Sequence, residues 1–181
     1  MASGLLLVIG GGVSVVGAAV FGFGSSTVGS WITIAAAAIY SVGFLVFGLG
    51  FVQPTALAAR GLLIATGTVG LVSVLIGLLP VNSAVLDVLL LVAELLVAVL
   101  LLIGAILVMV RSGVRPPISW AILPAGIWET VSMLLILARI GGEWWTLVLF
   151  GLLCVIAGVA IRVGTLRLSP ATAAEIGTAA S

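Results

Sequence analysis

Six apolar stretches, each about as long as a bilayer is thick, leave this chain few ways to fold. A hydrocarbon core of about 30 Å needs roughly 20 apolar residues per helix. The stretches run over about residues 4–24, 31–52, 59–80, 83–110, 118–140 and 144–164. Short breaks rich in Gly, Ser, Pro and Asn divide them: GSSTVGS, QPT, PVNS, RSGVRPP and RIGGE. Only 6% of the 181 residues are charged and 64% are hydrophobic, with a mean hydropathy of +1.54. A soluble domain carries about 25% charged residues. So poor a polar surface calls for lipid as the solvent.

The expectation is an all-α, polytopic integral membrane protein. One six-helix transmembrane domain fills residues 1–168, and a small, polar tail over 169–181 extends flexibly into the cytoplasm. Breaks this short make successive helices run antiparallel. The first stretch has no basic region before it and no clear cleavage site, so it is expected to stay as a helix. All six basic residues are Arg. With an inside amino terminus, Arg60, Arg111, Arg115, Arg162 and Arg167 fall inside and Arg139 alone outside. That bias sets both termini in the cytoplasm of a multi-pass plasma-membrane protein, with the inner arginines near anionic headgroups. Trp31, Trp144 and Trp145 fall at the outer boundary and Trp120 at the inner one. Trp128 lies midway along the fifth helix, outside either belt.

Much chemistry is excluded by what is missing. Without His there is no haem or zinc site and no Ser–His or Cys–His pair, and without Lys there is no Schiff base. The single Cys154 sits in the apolar FGLLCVIAG and reads as a small buried hydrophobe. No metal or cofactor is expected, and a net charge of +1 gives no reason to expect nucleic acid.

What remains is a set of acidic residues inside the apolar stretches. A carboxylate near the bilayer centre costs about 2.5 kcal/mol or more, and such groups face a bundle interior or a wet cavity. Glu94 and Glu129 each lie about ten residues, roughly 15 Å, into sequential helices and so reach similar depth. Asp87 precedes Glu94 by seven residues on nearly the same face, which Ala98 and Ala105 continue. On the fifth helix Gly126, Glu129, Ser132 and Met133 share a face, and Pro124 below them leaves the carbonyl of Trp120 without its helical donor. Glu94, Glu129 and Asp87 are therefore the proton- or cation-binding candidates. Asp87 also reads as an outer ion pair with Arg139, which could instead pair with Glu143. The rival reading makes Glu94 and Glu129 neutral acids that hydrogen-bond between helices and set the packing.

Small residues mark packing faces. Gly10, Ser14, Ala18 and Gly22 recur every four positions on the first helix and let a neighbouring backbone approach closely. Three similar octets, GLLLVIGG, GLLIATGT and GLLCVIAG, begin at Gly4, Gly61 and Gly151. They lie on the first, third and sixth stretches, a set that fits neither a two-helix nor a three-helix repeat, and low-complexity composition accounts for them.

The sequence GLLP at Gly77–Pro80 and EWWTLVLFGLLCVIAGVAI at 143–161 resemble small six-helix prokaryotic membrane families of unknown function. In style the latter segment is also similar to the acid-resistance HdeD-like family, in which a tryptophan pair precedes a Gly-rich helix. The resemblance covers mainly residues 61–80 and 143–161 and departs from the HdeD-like pattern because the Gly motifs are not on alternate helices. It implies a small inner-membrane protein and carries over no site residues. The absence of lysine suits a GC-rich prokaryotic genome. The functional expectation is a non-enzymatic accessory or structural subunit that packs against a partner membrane protein, a second copy of itself or lipid. The alternative is a small proton- or cation-coupled transporter or channel that uses Glu94 and Glu129.

Overall fold

The computed structural model describes residues 2–50, 52, 56–79, 83–111, 116–138 and 143–166. Six α-helices make up nearly all of it: α1 (Ala2–Phe23), α2 (Ser26–Gly50), α3 (Leu57–Gly77), α4 (Ala84–Arg111), α5 (Pro116–Leu137) and α6 (Glu143–Leu166). All six are long and apolar enough to cross a membrane, as in a multi-pass membrane protein. Helices suit such a solvent because each satisfies its backbone hydrogen bonds internally.

The largest departure from the sequence boundaries is at the start of α2, at Ser26 rather than residue 31. Most of GSSTVGS is therefore helix and not a break. Ser25 explains this: its hydroxyl accepts a hydrogen bond from the Val28 N–H at 3.4 Å, and its carbonyl accepts one from Gly29 at 2.9 Å. This is how a serine opens a helix. The turn also needs Gly29, since a Cβ there would come within 2.5 Å of the Phe21 backbone. Ser83 opens α4 in the same way, its hydroxyl accepting from Leu86 N–H at 3.2 Å. At the other end of α3 the helix stops at Gly77, three residues before Pro80. Helix α5 runs unbroken through Pro124. The tail over 169–181, Arg115, Arg139 and Arg167 lie outside the described residues.

Each helix packs on its neighbours in sequence, and α1 closes on α6, so the six form a ring. The closing seam is built from glycines. Gly4 lies against Gly158, where an added Cβ would meet the Gly158 carbonyl at 2.8 Å. Gly11 lies against Gly151, Cys154 and Val155, again with no room for a side chain. Gly4 and Gly11 are seven residues apart, as are Gly151 and Gly158. These pairs are the first and last residues of the octets GLLLVIGG and GLLCVIAG, so two of the three similar segments pack on one another. In the third, a Cβ on Gly61 meets nothing within 4 Å.

Within the small-residue row on α1, Gly10 faces Ile39 and Tyr40 of α2, and Gly22 faces Trp144 of α6. Ser14 donates to the Leu147 carbonyl of α6 at 3.3 Å, and Ala18 is fully buried. The contact of α2 with α3 is equally close at Gly67 and Gly70, which sit against Ser41 and Leu45. Close approach of this kind supplies dispersion contacts where lipid removes the hydrophobic drive.

A bulky group at the α1–α6 seam should therefore open the ring. Gly11→Ile and Gly151→Ile are each expected to destabilise the detergent-solubilised protein by about 1–3 kcal/mol or more. Gly61→Ile should leave its thermal unfolding unchanged.

Candidate functional site

The interior of the ring is divided into a filled part and a hollow one. The filled part is a continuous apolar cluster that includes Phe44, Phe47, Leu63, Leu101, Ile122, Phe150 and Ile161. The hollow part is a cavity of about 350 Å³. Its walls come from the first part of α2 (Thr33, Ile34, Ala37, Tyr40, Ser41), the second half of α3 (Gly70, Ser73) and the first half of α4 (Glu94, Val97). The second half of α5 (Glu129, Met133, Ile136) and the start of α6 (Thr146, Leu147) complete them.

Both mid-helix glutamates thus line one cavity, and they are close enough for their charges to interact. Glu129 is held on α5 by ordinary helix geometry, with its carbonyl accepting from the Ser132 hydroxyl at 2.8 Å. Tyr40 stands where the hollow part meets the filled one. Its ring lies edge-on to Phe150 at 5.1 Å and to Phe44 at 6.4 Å. The phenol is also within electrostatic range of both glutamates. Two acids, one phenol and the hydroxyl-bearing residues Thr33, Ser41, Ser73 and Thr146 therefore line a common space, and Tyr40 links it to the aromatic part of the filled cluster.

Ser41 stands apart among these hydroxyls. It is 3% exposed, it lines the cavity, and no hydrogen bond satisfies its hydroxyl among the described residues. By contrast Thr66 and Thr130 each bond a carbonyl of their own helix, at 2.8 Å and 2.9 Å. The only buried side-chain oxygen without a partner among the described residues is that of Ser3; the Ser41 hydroxyl is open to the cavity, where a partner can arrive.

Asp87 is not among the lining residues. It lies exposed in the first turn of α4, and its suggested partner Arg139 is outside the described residues. Arg60 is half-buried near the start of α3 and Arg162 exposed near the end of α6, while Arg111 ends α4. Trp31 and Trp120 project outward at 57% and 59% exposure, as expected of rings that sit in a membrane interface. Trp128 joins α5 to α6 instead. Its indole N–H donates to the Thr146 carbonyl at 3.1 Å, and its ring lies 5.7 Å from that of Trp145.

The seam between α4 and α5 changes along its length. Gly126 of α5 packs on Leu101 and Leu102 of α4, and the Thr130 hydroxyl reaches the Ala98 carbonyl at 3.5 Å. Ala98, Leu101 and Ala105 are fully buried there. On the same edge of α4, four and seven residues before Ala98, Glu94 and Leu91 are exposed. On α5, four residues after Thr130, Leu134 is 58% exposed. The facing edges of the two helices are thus buried at Ala98 and Gly126 and exposed at Glu94 and Leu134.

Sequence reasoning did not find the contribution of α2. The signal was present: Thr33, Ala37, Tyr40, Ser41 and Phe44 recur at helical spacing on one face. The single tyrosine of the chain lies among them. No family model matches the chain, and comparison with curated proteins and with solved structures gives no match either.

Accessibility separates the two parts of the interior. Cys154 is fully buried in the filled part and should resist a small water-soluble thiol reagent while the protein is folded. A Ser73→Cys variant in a Cys154→Ala background should be modified, as read by mass spectrometry of the intact protein.

Proposed function

We propose that this is a non-enzymatic membrane protein that binds and exchanges protons or small cations in a polar cavity, with Glu94 and Glu129 as the exchanging groups. One observation carries the reading: carboxylates from two different helices line the same space. Acidic residues in apolar helices are expensive, and cavities where they meet are where coupling ions bind. The hydroxyls of Thr33, Ser41 and Thr146 add neutral oxygen ligands suited to a hard cation. The aromatic floor at Tyr40, Phe44 and Phe150 acts as the barrier that must move for an ion to cross.

We place both termini on the cytoplasmic side of the plasma membrane, with successive helices antiparallel. The excess of arginine near the start of α3 and the ends of α4 and α6 supports this orientation, and with it the cavity faces away from the cytoplasm. An accessory or structural role, in which the acids only set the packing, is the reading that the following experiment would favour if flux is absent.

The purified protein is reconstituted in liposomes that enclose a pH-sensitive dye. Wild type should dissipate an imposed proton or cation gradient, and Glu94→Gln and Glu129→Gln should each lower the rate by about tenfold or more, the loss expected when a charged ligand contact is removed. Equal flux in wild type and both folded Gln variants would sink the proposal.

A further inference from the structure

The same cavity carries more than a site for a bare ion. Its volume of about 350 Å³ falls within the range of about 300–1,000 Å³ typical of small-molecule sites, far larger than one dehydrated cation needs. Its wall alternates acid and hydroxyl groups with Ile34, Val97, Met133 and Leu147, so an occupant meets apolar surface as well as charge. The face of Tyr40 and the two carboxylates are each attractive to an organic cation. No arginine lines the cavity among the described residues, so nothing there favours an anion. The Ser41 hydroxyl, which lines the cavity, offers one further oxygen.

The cleft between α4 and α5 supplies a way in. Beyond Thr130 the side chains along the seam are Leu91 and Leu95 on one edge and Leu134 on the other, at 37%, 39% and 58% exposure. Those edges are apolar, in a region bathed by lipid tails. Glu94 is exposed at this cleft and also lines the cavity, so its carboxylate can meet a cation that arrives from the membrane side. Water-soluble ions gain nothing from such a door. A molecule that partitions into lipid and carries a positive charge gains from both features.

Resting on the proposed cation-exchanging role of Glu94 and Glu129, we infer that the cavity takes an amphipathic organic cation, which enters from the bilayer through the cleft between α4 and α5. Its charged centre is held by Glu94 and Glu129 against Tyr40, and its apolar groups lie on Ile34, Val97 and Met133.

The test uses the full-length protein in detergent, with radiolabelled tetraphenylphosphonium as the probe and tetraphenylmethane as its neutral isostere. Saturable binding is expected that excess tetraphenylmethane does not displace. Affinity should fall about tenfold or more in Glu94→Gln and Glu129→Gln, with Glu94→Asp retaining most of it as a check that the fold survives. Leu91→Trp combined with Leu134→Trp, which fills the cleft without touching the acids, should slow probe association while leaving liposome proton flux in place. Binding that ignores the Gln substitutions, or that tetraphenylmethane abolishes, would overturn the inference. So would a lack of probe binding in protein with carboxylate-dependent flux, which would leave the ion-exchange reading standing. Neither binding nor flux would remove both.

Discussion

The contact of α1 with α6 through two glycine pairs is what the remaining structure depends on. Six helices packed only on their neighbours in sequence make an open row, and an open row has no interior. Closure needs the first and last helices to meet, and in lipid no hydrophobic drive brings them together. Gly4 against Gly158 and Gly11 against Gly151 let the two backbones touch, so that dispersion, acting over many short contacts, replaces the missing drive. The Ser14 hydroxyl, bonded to the Leu147 carbonyl at 3.3 Å, extends the same seam. Once the ring is closed, side chains that point inward must either fill the space or leave it hollow.

The choice between filling and hollow follows from side-chain size on consecutive turns. Along α2 the inward face reads Thr33, Ala37, Tyr40, Ser41, Phe44 and Phe47, small and polar first, then aromatic. Helix α3 contributes Gly70 and Ser73 to the hollow part and Leu63 to the filled one. On α6, Thr146 and Leu147 give way to Phe150 and Cys154. Three helices thus change character at one level, near Tyr40, and the two glutamates lie on the hollow side of it. A carboxyl on the filled side would meet Phe47, Leu101 and Ile122 with no partner, a burial that costs several kcal/mol in order-of-magnitude terms. The placement of the acids and the bulk of their neighbours are two aspects of one arrangement.

The number and rough extent of the helices could be read directly, because the apolar runs are long and the breaks contain Gly, Pro and Ser. The start of α2 could not, because a run of Ser, Thr and Gly is equally good as a loop or as a capped first turn, and only the contact of Gly29 with Phe21 decides between them. The convergence of Glu94 and Glu129 followed from matched depth on adjacent helices. Asp87 shares a face with Glu94 in a helical projection, yet it lies exposed in the first turn of α4. A projection gives direction around one helix and says nothing about where the neighbour parts from it. The similar octets at Gly4 and Gly151 were visible as text, but their meaning lies in which helix meets which. Without the knowledge that α1 meets α6, heptad-spaced glycines in a chain with 24 glycines carry little weight.

The position of Glu94 at the edge of the α4–α5 seam has a physical logic of its own. An ionisable group sealed inside an apolar bundle must stay neutral or hold a permanent counter-ion, and neither state exchanges. One that faces lipid alone has no polar partner at all. Glu94 lines a polar cavity shared with Glu129 and is itself exposed. Parting two helices exposes side chains but breaks no backbone hydrogen bond, since each helix remains intact. Along the packed stretch Ala98 and Gly126 supply the small groups that let the helices touch, and the Thr130 hydroxyl, which donates to the Gly126 carbonyl of its own helix at 2.9 Å, lies 3.5 Å from the Ala98 carbonyl.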